Sequence, residues 1–145
     1  MIKQCVILAG GLGTRLSNVN SNKPKALTEV LGEPILENQI KKLTKLGIEE
    51  ILLLVGYKAN EIQNYFGNGS NYGLKIKYIV EKEQLGTGGA IINALPLLDN
   101  EFMVIYGDIF FDFSIKKLFD FHKDNKSEAS LVVHPNDHPY DSDLV

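Results

Sequence analysis

The sequence predicts an α/β domain built on a doubly wound, mostly parallel sheet. Three observations carry this reading. Short apolar runs recur along the chain, helical patterns lie between them, and most of the runs are continuous rather than alternating. A continuous run suits a strand buried on both faces, as in a parallel sheet covered by its crossover helices. Alternation of strand and helix is the order that successive βαβ units require.

The first run covers residues 5–9 and leads straight into glycines. Leu36, Ile40 and Leu43 follow i, i+4, i+7, with Pro34 near the start and Gly47 past the end, so a helix is expected between them. A second run covers 51–55. After Tyr57, the spacing of Ile62, Tyr65 and Phe66 predicts a short helix, closed by Gly67-Asn68-Gly69. The polar cluster at 67–73 reads as a turn rather than a domain boundary. The third run, 74–80, alternates at its start, so that strand is expected to be more exposed there. Ala90, Ile91, Ala94 and Leu95 give a third helix, stopped near Pro96, and a fourth run covers 102–106. Ile115, Leu118, Phe119 and His122 predict a fourth helix, and residues 131–134 a fifth strand.

Composition sets the bounds. A chain of 145 residues with 44% hydrophobic residues can bury a real core, and 23% charged residues with scattered prolines argue against disorder. The net charge of −3 excludes a general nucleic-acid binder. No apolar run approaches the roughly 20 residues that span a bilayer, so no membrane partner is expected. The lone Cys5 can form neither an internal disulfide nor a zinc site by itself and reads as an inert core thiol, which fits a reducing, cytoplasmic setting. The charge is unevenly spread. Residues 1–45 carry seven Lys/Arg against three acids, 46–99 four against six, and 100–145 four against nine. A basic front and an acidic back suit an anion near one end and a cation near the other.

In a doubly wound sheet, ligands bind at the carboxyl ends of the strands. Strand one ends in Leu8-Ala9-Gly10-Gly11-Leu12-Gly13-Thr14-Arg15-Leu16. Its glycines let the backbone approach a ligand, its amides can line a phosphate pocket, and Arg15 adds a guanidinium. The loop is neither a Walker A motif nor a dinucleotide fingerprint, because Leu16 stands where the third Gly of the latter belongs. Lys23-Pro24-Lys25 follows, with Pro24 fixing the backbone beside Lys25. Strand three leads into Glu81-Lys82-Glu83-Gln84-Leu85-Gly86-Thr87-Gly88-Gly89-Ala90, a glycine-rich helix entry whose free amides can meet an anion or a carbonyl, a plain tight turn with Thr87 as N-cap being the alternative. Strand four leads into Gly107-Asp108, a carboxylate well placed for Mg²⁺, while Asp112 reads as the start of the next helix.

These blocks together resemble the signature of the sugar-1-phosphate nucleotidyltransferases. The gapped pattern is far more specific than a lone glycine loop, and the likeness covers at least residues 2–113. It implies a Rossmann-like sheet of the nucleotide-diphospho-sugar transferase fold. It also implies transfer of NMP from NTP–Mg²⁺ to a sugar 1-phosphate with release of pyrophosphate. On this resemblance Leu8, Ala9, Gly10, Gly11, Gly13 and Thr14 wrap the nucleotide. Arg15 and Lys25 hold the triphosphate and its leaving pyrophosphate. Glu81, Gly86 and Thr87 lie at the base, and Asp108 binds Mg²⁺. A bare carboxylate only accepts hydrogen bonds, so Glu81 suits the two N–H donors of guanine and favours GTP, with Glu83 as the rival residue. Within the family the Arg15-to-Pro24-Lys25 spacing, the 81–90 block and Gly107-Asp108-Ile109-Phe110-Phe111-Asp112 are most similar to D-glycero-D-manno-heptose 1-phosphate guanylyltransferases.

Departures from the family pattern are Ala26 in place of proline, Tyr106 in place of Asn or a small residue, and Ile109 in place of Thr. The resemblance also implies that residues 1–145 are the nucleotide-binding part of a truncated domain. The second metal carboxylate, a lysine facing the sugar phosphate and the sugar-binding half are expected after residue 145. A homo-oligomer is compatible with it. The turn-rich tail around His134 and His138, rich in Asp and Pro, reads as a connection toward the sugar side rather than a metal site. Two other functions remain open: a non-catalytic nucleotide-sensing or scaffold domain, and cytidylyl or uridylyl transfer to another phosphorylated alcohol.

Overall fold

The structure, a computed structural model, describes residues 2–11, 23–83, 85–133 and 135. In chain order the elements are β1 (Gln4–Ala9), a short β2–β3 hairpin (Glu29–Val30 and Glu33–Pro34), α1 (Ile35–Lys45), β4 (Glu50–Val55), α2 (Ala59–Phe66), β5 (Lys75–Val80), α3 (Gly86–Ala94), β6 (Met103–Tyr106) and α4 (Ile115–Asp124). The chain divides into two compact units, Met1–Asp112 and Phe113–Val145.

The first unit holds a four-stranded parallel sheet in the order β5-β4-β1-β6. The expected α/β class and parallel sheet are therefore what the chain forms. From β1 the chain moves to β4 and outward to β5, then returns to β6 on the other side of β1. Connections leave β1 in opposite directions, which makes the β1–β6 boundary the topological switch point. Register levels the strand ends. Ala9 pairs with Val55, Val55 with Val80, and Leu8 with Tyr106. The residues that follow, Gly10, Gly56, Glu81 and Gly107, thus lie along one rim.

Continuous apolar runs are buried as their pattern predicts. Val6, Ile7 and Leu52 through Val55 are fully buried. Even-numbered side chains Val6, Leu52 and Leu54 pack with Ala90 and Ala94 of α3, so α3 covers that face. Cys5, Ile7, Ile51 and Leu53 point to the other face by alternation. The Cys5 thiol is pushed up by burial, consistent with inert packing. β5 lies at a sheet edge and begins with an exposed Lys75, which explains its alternating start. Helix α1 buries Leu36, Ile40 and Leu43, the residues that predicted it, and Gln39 beside them.

Two expectations fail. Residues 131–133 form no strand and are exposed, while His134 lies outside the described residues. An apolar run becomes a strand only when a neighbour completes its ladder, and no described residue pairs with this one. Asp112 does not start a helix. Ser114 caps α4, its side chain accepting from the Lys117 amide, and Asp112 pairs with Lys42 at 3.1 Å. Helix α3 begins at Gly86 behind Leu85, which places Thr87 in its first turn and sets aside the alternative that Thr87 is the N-cap.

Candidate functional site

Loops at the strand ends enclose a cleft of about 440 Å³. Leu8, Ala9, Gly10 and Gly11 line it from the end of β1. Lys25 and Ala26 enter from the turn after Pro24, Glu81 from the end of β5, Gly86 and Thr87 from the first turn of α3, and Gly107-Asp108 from the end of β6. Every site residue predicted from sequence that falls among the described residues lines this cleft. Gly13, Thr14 and Arg15 lie outside the described residues. So do His138 and the rest of 136–145. Glu83, the rival to Glu81, is exposed and is not part of the lining.

At one end of the cleft sits an ion pair. Pro24 takes φ −58° and ψ 143°, the extended conformation that opens a short 3₁₀ turn over Lys25–Leu27. The Leu27 and Thr28 amides close that turn on the Pro24 and Lys25 carbonyls, each at 2.9 Å. Buried Ala26 anchors it, only 4% exposed, so a small side chain replaces the stiffness of a second proline. Lys25 Nζ then reaches Asp108 Oδ2 at 3.0 Å, across 83 residues of sequence. Both groups keep contact with solvent, with side chains 29% and 48% exposed. Such a pair contributes little to stability, on the order of 1 kcal/mol or less.

At the other end sits the Glu81 carboxyl. Glu81 continues the β5 ladder through its amide, which donates to the Val55 carbonyl at 2.8 Å. Its side chain turns back across the end of β4 toward β1. A Cβ on Gly10 would lie 2.2 Å from Glu81 Oε2, and a Cβ on Gly56 would lie 2.8 Å from the Gly10 carbonyl. Glycine at position 10 therefore leaves room for the carboxyl, and glycine at position 56 leaves room for the Gly10 backbone. Glu81 Oε1 is buried and has no hydrogen-bond partner among the described residues. Burial raises the carboxyl above its ordinary range. An unpartnered buried polar atom costs about 1–3 kcal/mol and marks a place where something is missing.

Between these ends, Thr87 Oγ1 and the Tyr106 hydroxyl lie 3.3 Å apart, bridging α3 and β6 over the cleft. Tyr106 thus fills its departure from the family pattern with a polar contact. No group of three or more metal-ligating side chains occurs among the described residues. Among the described residues, Asp108 is the cleft carboxylate beside Lys25. Mg²⁺ commonly takes one or two carboxylates and completes its shell with water and phosphate oxygens, so a single half-exposed carboxylate in a phosphate-sized cleft fits that ion.

Two residues escaped the sequence reading. Gly56 belongs to a loop singled out by position, yet only its packing against Gly10 shows what it does. Gln39 interrupts the apolar stripe of α1 between Leu36 and Ile40. A buried polar residue in an apolar stripe was the available signal.

Comparison with known proteins agrees with this geometry. The sequence matches the nucleotidyl transferase family over residues 4–141. It is 44% identical over 130 residues to D-glycero-alpha-D-manno-heptose 1-phosphate guanylyltransferase of Campylobacter jejuni, covering 90% of this chain and 57% of that protein. It is 37% identical to mannose-1-phosphate guanylyltransferase of Mycobacterium tuberculosis, covering 88% of this chain and 36% of that protein. Among solved structures, HddC from Yersinia pseudotuberculosis complexed with GMP-PN superposes with a TM-score of 0.76 at 37% identity, covering 85% of this chain and 55% of that one. The chain thus spans about half the length of several relatives it matches. The chain therefore belongs to the nucleotidyl transferase family, and the two curated relatives named above are guanylyltransferases.

Proposed function

We propose that this chain is the nucleotide-binding part of a sugar-1-phosphate nucleotidyltransferase that transfers GMP from GTP–Mg²⁺ and releases pyrophosphate. The observation that carries the reading is the convergence, in one cleft at the switch point, of the Lys25–Asp108 pair and a Glu81 carboxyl whose buried Oε1 has no partner among the described residues.

Each group has a role that its surroundings support. The Gly10-Gly11 backbone allows close approach of the nucleotide. Lys25, with Arg15, holds the β- and γ-phosphates and offsets the charge that builds on departing pyrophosphate. Asp108 holds the Mg²⁺, which when bound neutralises phosphate charge. A triphosphate with its cation gives Lys25 and Asp108 new counter-charges, so the ion pair exchanges partners rather than losing them. Glu81 accepts from the N1–H and N2–H₂ of guanine, which satisfies the buried oxygen. An oxygen of the sugar phosphate attacks the α-phosphorus in line. As that P–O bond forms, the bond to the β-phosphate oxygen breaks, and its electron pair leaves with pyrophosphate. The protein positions and neutralises, without a covalent intermediate. The names of the guanylyltransferase relatives support GTP and a sugar 1-phosphate as the substrate class.

Calorimetric titration with GTP, UTP, CTP and dTTP, each with Mg²⁺, tests the proposal. GTP is expected to bind most tightly. Preference for another base would overturn the Glu81 assignment. Binding of none would overturn the function and favour a scaffold role.

A further inference from the structure

From the cleft side the Asp108 turn is held by the Gly107 amide, which donates to the Leu8 carbonyl at 2.8 Å, and by Lys25 on the carboxylate at 3.0 Å. A second hold reaches the same turn from the opposite side. That second hold comes from α1. Gln39 is 3% exposed and does not line the cleft. Its Nε2 donates to the Tyr106 carbonyl at 2.9 Å and to the Ile109 carbonyl at 2.6 Å. These two carbonyls bracket Gly107-Asp108. Lys42, three residues further along the helix, donates to the Phe111 carbonyl at 2.6 Å and extends the same support.

The orientation of the Gln39 amide follows from its partners. Turned over, its oxygen would face two carbonyl oxygens. In the observed orientation Oε1 is buried without a partner among the described residues. The side chain therefore serves as a double donor at the expense of its own acceptor. A leucine or methionine would continue the apolar stripe of Leu36, Ile40 and Leu43 without that expense. Helix packing explains none of this, whereas the need to fix the 106–109 turn explains all of it.

We infer that Gln39 is a positioning residue for Asp108. It holds the turn so that the carboxylate faces the cleft and Lys25. The inference rests on the proposed function, in which Asp108 holds the cation. Residues that orient a metal ligand typically change metal affinity about 10- to 100-fold when lost.

The test is Mn²⁺ binding by the full 145-residue chain with a saturating non-hydrolysable GTP analogue, read as loss of the free Mn²⁺ EPR signal. Gln39→Met is expected to weaken Mn²⁺ binding about 10-fold. Its affinity for the analogue in excess chelator should stay within about twofold of the parent chain, because Gln39 makes no contact in the base end. Ile62→Val, an equally buried change in α2, serves as the control for lost stability and should leave Mn²⁺ binding unchanged. A second variant, Gln39→Glu, keeps the test alive if the methionine variant does not fold. As an anion the introduced carboxyl repels both carbonyls, but once protonated it donates to one of them. Its Mn²⁺ affinity should therefore recover as pH falls from 8 to 6, opposite to ordinary proton competition at a metal site. Parent-level Mn²⁺ binding by Gln39→Met, a matching loss in Ile62→Val, or no recovery in Gln39→Glu would overturn the positioning role alone. Failure of the unaltered chain to bind Mn²⁺ with the analogue would overturn the proposed function and the inference with it.

Discussion

The two ends of the cleft solve opposite electrostatic problems. At the β1–β6 end, Lys25 and Asp108 already neutralise each other at 3.0 Å and remain in contact with water. At the β5 end, Glu81 is held against Gly10 with a buried oxygen that has no described partner. The first end costs the fold little and can exchange its partners. The second end carries a penalty that a ligand with two donors would relieve. Under the proposed function the contrast means that charge and identity would be read in separate places: phosphate and cation where solvent screens, the base where it does not.

Removing Lys25 is expected to have the largest effect. Lys25→Ala should weaken Mg²⁺–GTP binding about 10- to 100-fold, the range for a charge-assisted hydrogen bond to phosphate, and should weaken UTP binding by a similar factor. Calorimetry with both nucleotides checks this. A base-dependent loss would break the separation of the two ends. Gly10→Ala comes next, because its Cβ would lie 2.2 Å from Glu81 Oε2 and push the carboxyl from its place. The ratio of GTP to UTP affinity should fall about tenfold, as expected for losing one directed polar contact, with UTP binding changed less.

The Glu81→Gln variant sharpens the comparison through stability. A carboxyl whose pKa is raised in the folded state is penalised there at neutral pH. The penalty is present in full above the folded pKa and disappears below the unfolded value of about 4.3. Glu81→Gln should therefore unfold less readily than the parent at pH 7, by about 1 kcal/mol, with the difference fading toward pH 4. Urea unfolding at several pH values measures it. The smallest effect is expected for Lys25→Met on stability without ligand, under about 1 kcal/mol, because the Asp108 pair is exposed. A large loss would mean that the pair holds the fold rather than waiting for a ligand.

Much of this architecture was legible in the sequence because the strands are buried on both faces. The runs at 5–9 and 51–55 match β1 and β4 to within a residue, since continuous burial leaves continuous apolar letters. The β2–β3 hairpin was missed because two-residue strands are too short to show a period. Residues 131–133 show the converse failure, an apolar run with no described neighbour to pair with it. The residues that line the cleft were legible where a motif fixes spacing, as for Lys25, Glu81 and Asp108. Gln39 and Gly56 act only through contacts between distant elements, with the Tyr106–Ile109 turn and with Gly10, and no local pattern announces such a contact.

The central claim is that the buried Glu81 carboxyl reads guanine through two donors. Comparing GTP with inosine triphosphate, which lacks the 2-amino group, tests it most directly. In calorimetric titrations with Mg²⁺, the unaltered chain should prefer GTP about tenfold, and Glu81→Gln should lose most of that preference. An equal GTP-to-inosine-triphosphate ratio in the two proteins would contradict the account.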